Sequence, residues 1–149
     1  MKMKTDTVVR FYETVDPSLL KYAVIVARSG GKWVLCRHRD RHTWEVPGGH
    51  REPGEEITQA ARRELYEETG AARFSLSPVC VYGVSGSINH GTENFGMLFF
   101  AEIEDFGPLP PFEIAETALR DEFPAPDCLT YPDIQPQLFR RVLRQIKEG

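Results

Sequence analysis

Three cysteines, Cys36, Cys80 and Cys128, are too few and too far apart, and odd in number, for a disulfide framework. They form no Cys-x-x-Cys and have no paired histidine spacing, so a zinc site is not expected and all three read as packing residues or free thiols. Long apolar runs are also missing: none approaches the ~20 residues that span a bilayer. A basic surplus is missing too, since 18 Lys and Arg face 22 Asp and Glu for a net charge of −4. Without that surplus a nucleic-acid polymer is not the expected partner. The stretch from Met1 to Arg10 has no apolar core, so no secretory signal is expected and the cytoplasm is the expected location. No internal repeat or low-complexity tract occurs.

What is present suits a globular chain: 41% hydrophobic and 27% charged residues over 149 positions. That length supports one well-buried core and not two, so residues 1–149 are expected to form one domain. Thr7 to Thr14 alternates loosely between β-branched or aromatic and polar residues and reads as a strand. Leu19 to Ala27 and Trp33 to Cys36 read as two strands joined by a turn at Gly30-Gly31. A short strand, Trp44-Glu45-Val46, is followed by Pro47-Gly48-Gly49, where paired glycines suggest unusual backbone angles and a ligand contact. Glu55 to Thr69 has helix-forming composition, with Gly70 as its stop. Val79 to Val84 and Phe95 to Ile103 read as strands around a mobile loop from Gly83 to Asn94. Gly107 to Pro111 reads as a rigid connection. From Asp133 to Lys147 apolar residues recur every four positions, marking a second amphipathic helix. The fold class is mixed α/β (α+β).

On a wheel of ~100° per residue, Ile57, Ala61 and Leu65 of the first helix form one stripe facing the core. Glu68 falls within it, Glu64 borders it and Glu67 lies one i+3 step from Glu64. Like charges gathered beside a buried face are unfavourable unless protons or a cation neutralise them, and hard divalent cations prefer such oxygen donors. Magnesium or manganese explains the pattern; an acidic, solvated helix is the plain alternative.

The run Gly49, five residues, Glu55, seven residues, Arg63-Glu64-Leu65-x-Glu67-Glu68-x-Gly70 resembles the Nudix box at every charged and glycine position. Chance agreement is on the order of 10⁻⁸ per starting point at ordinary residue frequencies. Ala71, where the family usually has a larger aliphatic residue, departs from the pattern without touching the chemistry. The resemblance implies a Nudix fold, a mixed sheet sandwiched between helices. It also implies a magnesium- or manganese-dependent pyrophosphohydrolase that cleaves a nucleoside diphosphate linked to another group by attack of water at phosphorus. The substrate would be a small molecule, for example a canonical or oxidised nucleoside triphosphate.

Residue by residue, the resemblance gives Glu64, Glu67 and Glu68 as metal ligands with the Gly48 carbonyl, Glu64 as a catalytic carboxylate, and Arg63 as the residue that orients it. For Arg63 the alternative is a surface ion pair with Glu67, and for Glu55 support of the metal site competes with a capping role. Many family members recruit a further carboxylate from a loop after the last long strand; Glu116 stands where it is expected, with Glu113 as alternative. Arg37, Arg39 and Arg41 could hold phosphates, or be a solvated charge run; Gly49 could contact substrate. Trp44, Phe95 and Tyr82 could stack on a base or belong to the core, and His90 could reach substrate from the loop. Two competing readings are a non-catalytic Nudix-fold binding or regulatory module, which should have lost a box carboxylate, and a prenyl diphosphate isomerase, which the three cysteines do not support.

Overall fold

The computed structural model describes residues 6–148; residues 1–5 of the stretch weighed as a leader lie outside it. Seven strands and two helices follow in chain order: β1 (Val8–Tyr12), β2 (Leu20–Ser29), β3 (Lys32–His38), β4 (Gly48–His50), α1 (Ile57–Thr69), β5 (Ala71–Ser85), β6 (Asn94–Phe106), β7 (Ile114–Arg120) and α2 (Gln135–Glu148). They form one mixed sheet in the order β1-β5-β6-β2-β3-β7, with the short β4 paired to β2. Only β2 and β6 run parallel. The β2–β3 hairpin turns through Gly30 and Gly31, both at positive φ, as the glycine pair predicts.

Alternation along the central strands supplies two buried faces. Ile25, Ala27, Phe99 and Ala101 pack with Ala60, Ala61 and Leu65 of α1. Val26, Trp33, Leu35 and Leu98 pack with Leu138 and Val142 of α2. The sheet is therefore sandwiched between the helices, as expected for a Nudix fold. Cys36 and Cys80 are buried free thiols and Cys128 is an exposed one. Among the described residues no helix is long and apolar enough to cross a membrane.

Four segments differ from the sequence expectation. The segment Trp44–Val46 makes only isolated bridges, Trp44 to Leu129 and Glu45 to Cys36, and the strand proper begins at Gly48. β5 begins at Ala71, far earlier than Val79, because pairing with β6 continues through a stretch in which Arg73, Ser75 and Ser77 alternate with the core-packed Phe74 and Leu76. β7 occupies a stretch expected to be a loop: Ile-Ala-Glu-Thr-Ala-Leu-Arg is poor in strand formers, and pairing to the edge of β3 overrides that composition. The stretch expected to be a mobile loop holds a 3-10 turn at Ser87–Asn89, tied down by Asp6, which accepts from the Ser87 amide and hydroxyl.

Candidate active site

Helix α1 starts at Glu56, whose N–H donates to the Gln59 side chain, and stops at Gly70 in the left-handed conformation. Between these ends the wheel places Leu65 and Glu68 against the sheet, and Glu68 is 6% exposed. Facing them is β4. Neither Gly48 nor Gly49 has a positive φ, so the expectation of unusual backbone angles is corrected. Space is the reason for both glycines: a Cβ at Gly48 would stand 2.6 Å from the Ala23 carbonyl oxygen, and one at Gly49 would stand 2.6 Å from the Glu64 carboxyl carbon. The absence of side chains lets β4 lie against α1 and lets the Gly48 N–H donate to Glu68 Oε1 at 2.7 Å.

Arg63 organises the outer part of the helix. Its Nε and Nη2 bind both oxygens of Glu55 at 2.8 and 3.0 Å, Nη1 reaches Glu64 at 2.8 Å and Glu67 at 3.3 Å, and Nη2 also donates to the His50 carbonyl. A planar fork with five donors can serve these acceptors at once, which a lysine could not. Glu55 is thus a partner of Arg63 and not the helix cap, and Arg63 holds its carboxyl below the usual range. For Arg63 the i+4 contact with Glu67 is the longest of these carboxylate hydrogen bonds, not the main one.

The inner carboxylates are in the opposite state. Burial, with Glu64, Glu45 and Glu113 nearby, pushes Glu68 up to about 8 despite the Gly48 hydrogen bond. Burial likewise raises Glu64, against the pull of Arg63. Glu64, Glu67, Glu68 and Gly48 line one cleft of about 850 Å³. Oxygen donors held together at this cost are a set that a hard divalent cation fits, since its charge offsets both burial and mutual repulsion.

His38 and Glu45 also line this cleft and have no counterpart in the sequence reading. His38, at the end of β3, places Nε2 2.7 Å from Glu45 and 3.5 Å from Glu68, with Nδ1 3.7 Å from Glu113. Ligand atoms of His38, Glu68 and Glu113 lie within 4.8 Å of one another. Glu45 is 5% exposed, and its pKa is raised by burial against the pull of His38 and Arg41. The available signal was a charged residue between Trp44 and Val46, flanked by core residues.

The other expected residues divide. Gly49, Tyr82 and Arg41 line the cleft. Glu116 does not: it stands opposite Arg37 in the β3–β7 register and pairs with it at 2.9 Å, while Glu113, just before β7, reaches the cleft. That pair engages Arg37, and Arg39 donates to the Phe112 carbonyl, so neither arginine lines the cleft. Trp44 packs on the α2 side of the sheet with Arg120 over its ring, and Phe95 meets Tyr12 edge-on. His90 is exposed, and its neighbours Ile88 and Asn89 line the cleft in its place.

Residues 19–140 match the family described as the NUDIX domain. A Bacillus subtilis protein provisionally named 8-oxo-dGTP diphosphatase YtkD is 43% identical over 84 residues, 56% of this chain and 51% of that protein. An RNA pyrophosphohydrolase of Bartonella henselae is 44% identical over 50 residues, 32% of this chain and 29% of its own. The chain's matches thus span about half of one relative's length and less than a third of the other's. Among solved structures, the Bacillus subtilis pyrophosphohydrolase BsRppH superposes with a TM-score of 0.77 at 28% identity, covering 96% of each chain. With a family match over most of its length, and with its box glutamates facing the two glycines across one cleft, the chain belongs to the Nudix domain family.

Proposed function

We propose that residues 1–149 form one cytoplasmic domain and act as a hydrolase of phosphoric anhydrides, cleaving a nucleoside 5′-diphosphate bonded to a further phosphate or other group by attack of water at phosphorus. The observation that carries this reading is the carboxylate wall itself: Glu64, Glu67 and Glu68 retained together, two of them with pKa values raised by burial and facing the same cleft. A binding module has no need to keep all three at that cost. Glu64, Glu67, Glu68 and the Gly48 carbonyl would hold the cation, magnesium or manganese. Such an ion supplies charge neutralisation at the phosphate oxygens and a lowered pKa for bound water.

The chain's own residues do the rest. Arg63, fixed by Glu55 and the His50 carbonyl, holds the Glu64 carboxylate in one orientation. Glu113 takes the role first expected of Glu116 and accepts the water's proton, since it shares the cleft with Glu68 and His38 whereas Glu116 is held by Arg37. Arg41, free of the β3–β7 pairing and lining the cleft, faces the anionic substrate where Arg37 and Arg39 do not.

The names of the relatives place oxidised deoxynucleoside triphosphates and RNA in the class to be tested. The test is release of phosphate or pyrophosphate from 8-oxo-dGTP, the common nucleoside triphosphates and a short 5′-triphosphorylated RNA, and release of AMP and ribose 5-phosphate from ADP-ribose, with magnesium and with manganese. In ¹⁸O-labelled water the label should enter a phosphate-containing product. No release from any of these by folded protein, or label only in the non-phosphate group, refutes the proposal.

A further inference from the structure

Gln135, the first residue of α2, is 6% exposed and lines the same cleft as the box carboxylates. Its Oε1 accepts a hydrogen bond from the Val46 N–H at 3.0 Å. That bond settles which way the amide points, because an N–H can be met only by the oxygen. The Nε2 group therefore has a fixed direction. Among the described residues it has no protein acceptor, yet no side-chain nitrogen or oxygen that is fully buried is left without a partner. Both hold together only if Nε2 opens into the cleft. Apolar side chains pack beside it: Ile134 just before α2, Leu138 within it, and Val84 and the ring of Tyr82 from β5. An aimed donor beside apolar walls is the usual form of a specificity contact.

We propose that Gln135 reads the nucleobase, its Nε2 donating to a ring carbonyl oxygen, so that the cleft prefers 6-oxopurines to 6-aminopurines. The inference rests on the nucleotide reading above and adds the class of base to it. An amino group at the same ring position would set donor against donor and leave the buried amide unpaired. Sites built to hydrogen-bond one group reject its opposite strongly for this reason. The phosphates would lie toward Glu64 and Glu68, and the base toward α2.

The cleanest substrate pair is dITP and dATP, which differ at C6 and at the adjacent ring nitrogen. The wild type should show kcat/KM higher for dITP by roughly 10- to 100-fold. Gln135→Glu keeps an oxygen for the Val46 N–H and turns the free position from donor to acceptor, so the preference should collapse or invert. Gln135→Met removes both functions and should bring the ratio near one. An independent readout needs neither turnover nor variants: in the ¹⁵N-labelled wild type, the Gln135 side-chain amide resonances should shift on adding deoxyinosine and not deoxyadenosine. Equal kcat/KM for the two nucleotides, or resonances indifferent to both nucleosides, overturns the base contact and leaves the hydrolase reading standing. Selective resonance shifts without hydrolysis of any nucleotide support the contact and sink the hydrolase reading instead.

Discussion

Glu68→Gln should make the metal-free protein more stable, not less, and only at alkaline pH. The carboxyl of Glu68 is pushed from 4.5 to about 8 by burial and by its acidic neighbours. The folded state therefore holds a proton that the unfolded state has already released between those two values. Stability must then fall as pH rises from about 4.5 to 8, because the native state binds more protons, and level off above. At ~1.4 kcal/mol per pKa unit the loss at the alkaline end is up to roughly 5 kcal/mol. This is an upper limit, since Glu64 and Glu45 share the same field and titrate with it. Glutamine is close in shape and keeps an oxygen for the Gly48 N–H, so it removes the charge and little else. Urea unfolding in chelator near pH 9 should place the variant above the wild type by about 2–4 kcal/mol, and near pH 5 the two should agree within about 1 kcal/mol. Millimolar magnesium should reverse the order at high pH, because only the wild type keeps the full ligand set and gains RT ln(1 + [L]/Kd). A variant less stable than the wild type in chelator at high pH would show that the Glu68 charge is compensated within the protein, and the argument for a cation would lose its basis.

The remaining expectations concern geometry. Gly48→Ala would drive a Cβ to 2.6 Å from backbone at Ala23, with Val24 Cα at 3.0 Å, and should cost about 1–3 kcal/mol in thermal or urea unfolding. In Gly49→Ala the atoms nearest the added Cβ belong to the movable end of Glu64, so it should lower turnover by on the order of 10²-fold while changing stability by less than about 1 kcal/mol. Glu113→Gln should depress initial rates by roughly 10²- to 10⁴-fold, whereas Glu116→Gln, which breaks a half-exposed pair with Arg37, should leave them near wild type; the opposite ranking would return the loop carboxylate to Glu116. Arg63→Lys should fail to rescue the loss seen in Arg63→Ala, because one ammonium cannot serve Glu55, Glu64 and Glu67 together, and equal rates for Arg63→Lys and wild type would reduce the fork to a simple charge.

The parts of this site legible in the sequence are those built within one element. The box lies on one helix and the turn before it, so a period of 3.6 and a glycine stop suffice to put Glu64 and Glu68 beside Leu65. The parts not legible depend on pairing across the sheet. Glu116 and Glu113 are three residues apart in a segment whose composition favours no strand, and only the ladder with β3 gives one to Arg37 and the other to the cleft. His38 belongs to a charge run that reads as solvated until its Nε2 meets Glu45, seven residues later and beyond a turn. Paired glycines at 48 and 49 signal some backbone demand, but sequence does not separate a demand for φ from a demand for room, and here it is room.

The same dependence explains why the two ends of the cleft keep a fixed spacing. Val46 and Gly48 flank Pro47, two residues apart in the chain, and each offers its N–H to a different helix. One holds Gln135 of α2 and the other holds Glu68 of α1. Pro47, between them, has no N–H to compete, and its carbonyl accepts from the Ile25 N–H of β2. Each helix is thus tied by one side chain to the same short rail, which is itself hydrogen-bonded to β2. A shift of either helix would break one of these bonds, and the Val46 donor is buried, where no water replaces the lost partner. The separation between the carboxylate wall and the amide donor is therefore a property of backbone geometry rather than of the loops that surround the opening, and substitutions in the Ser87–Asn89 turn should alter access to the cleft before they alter its internal spacing.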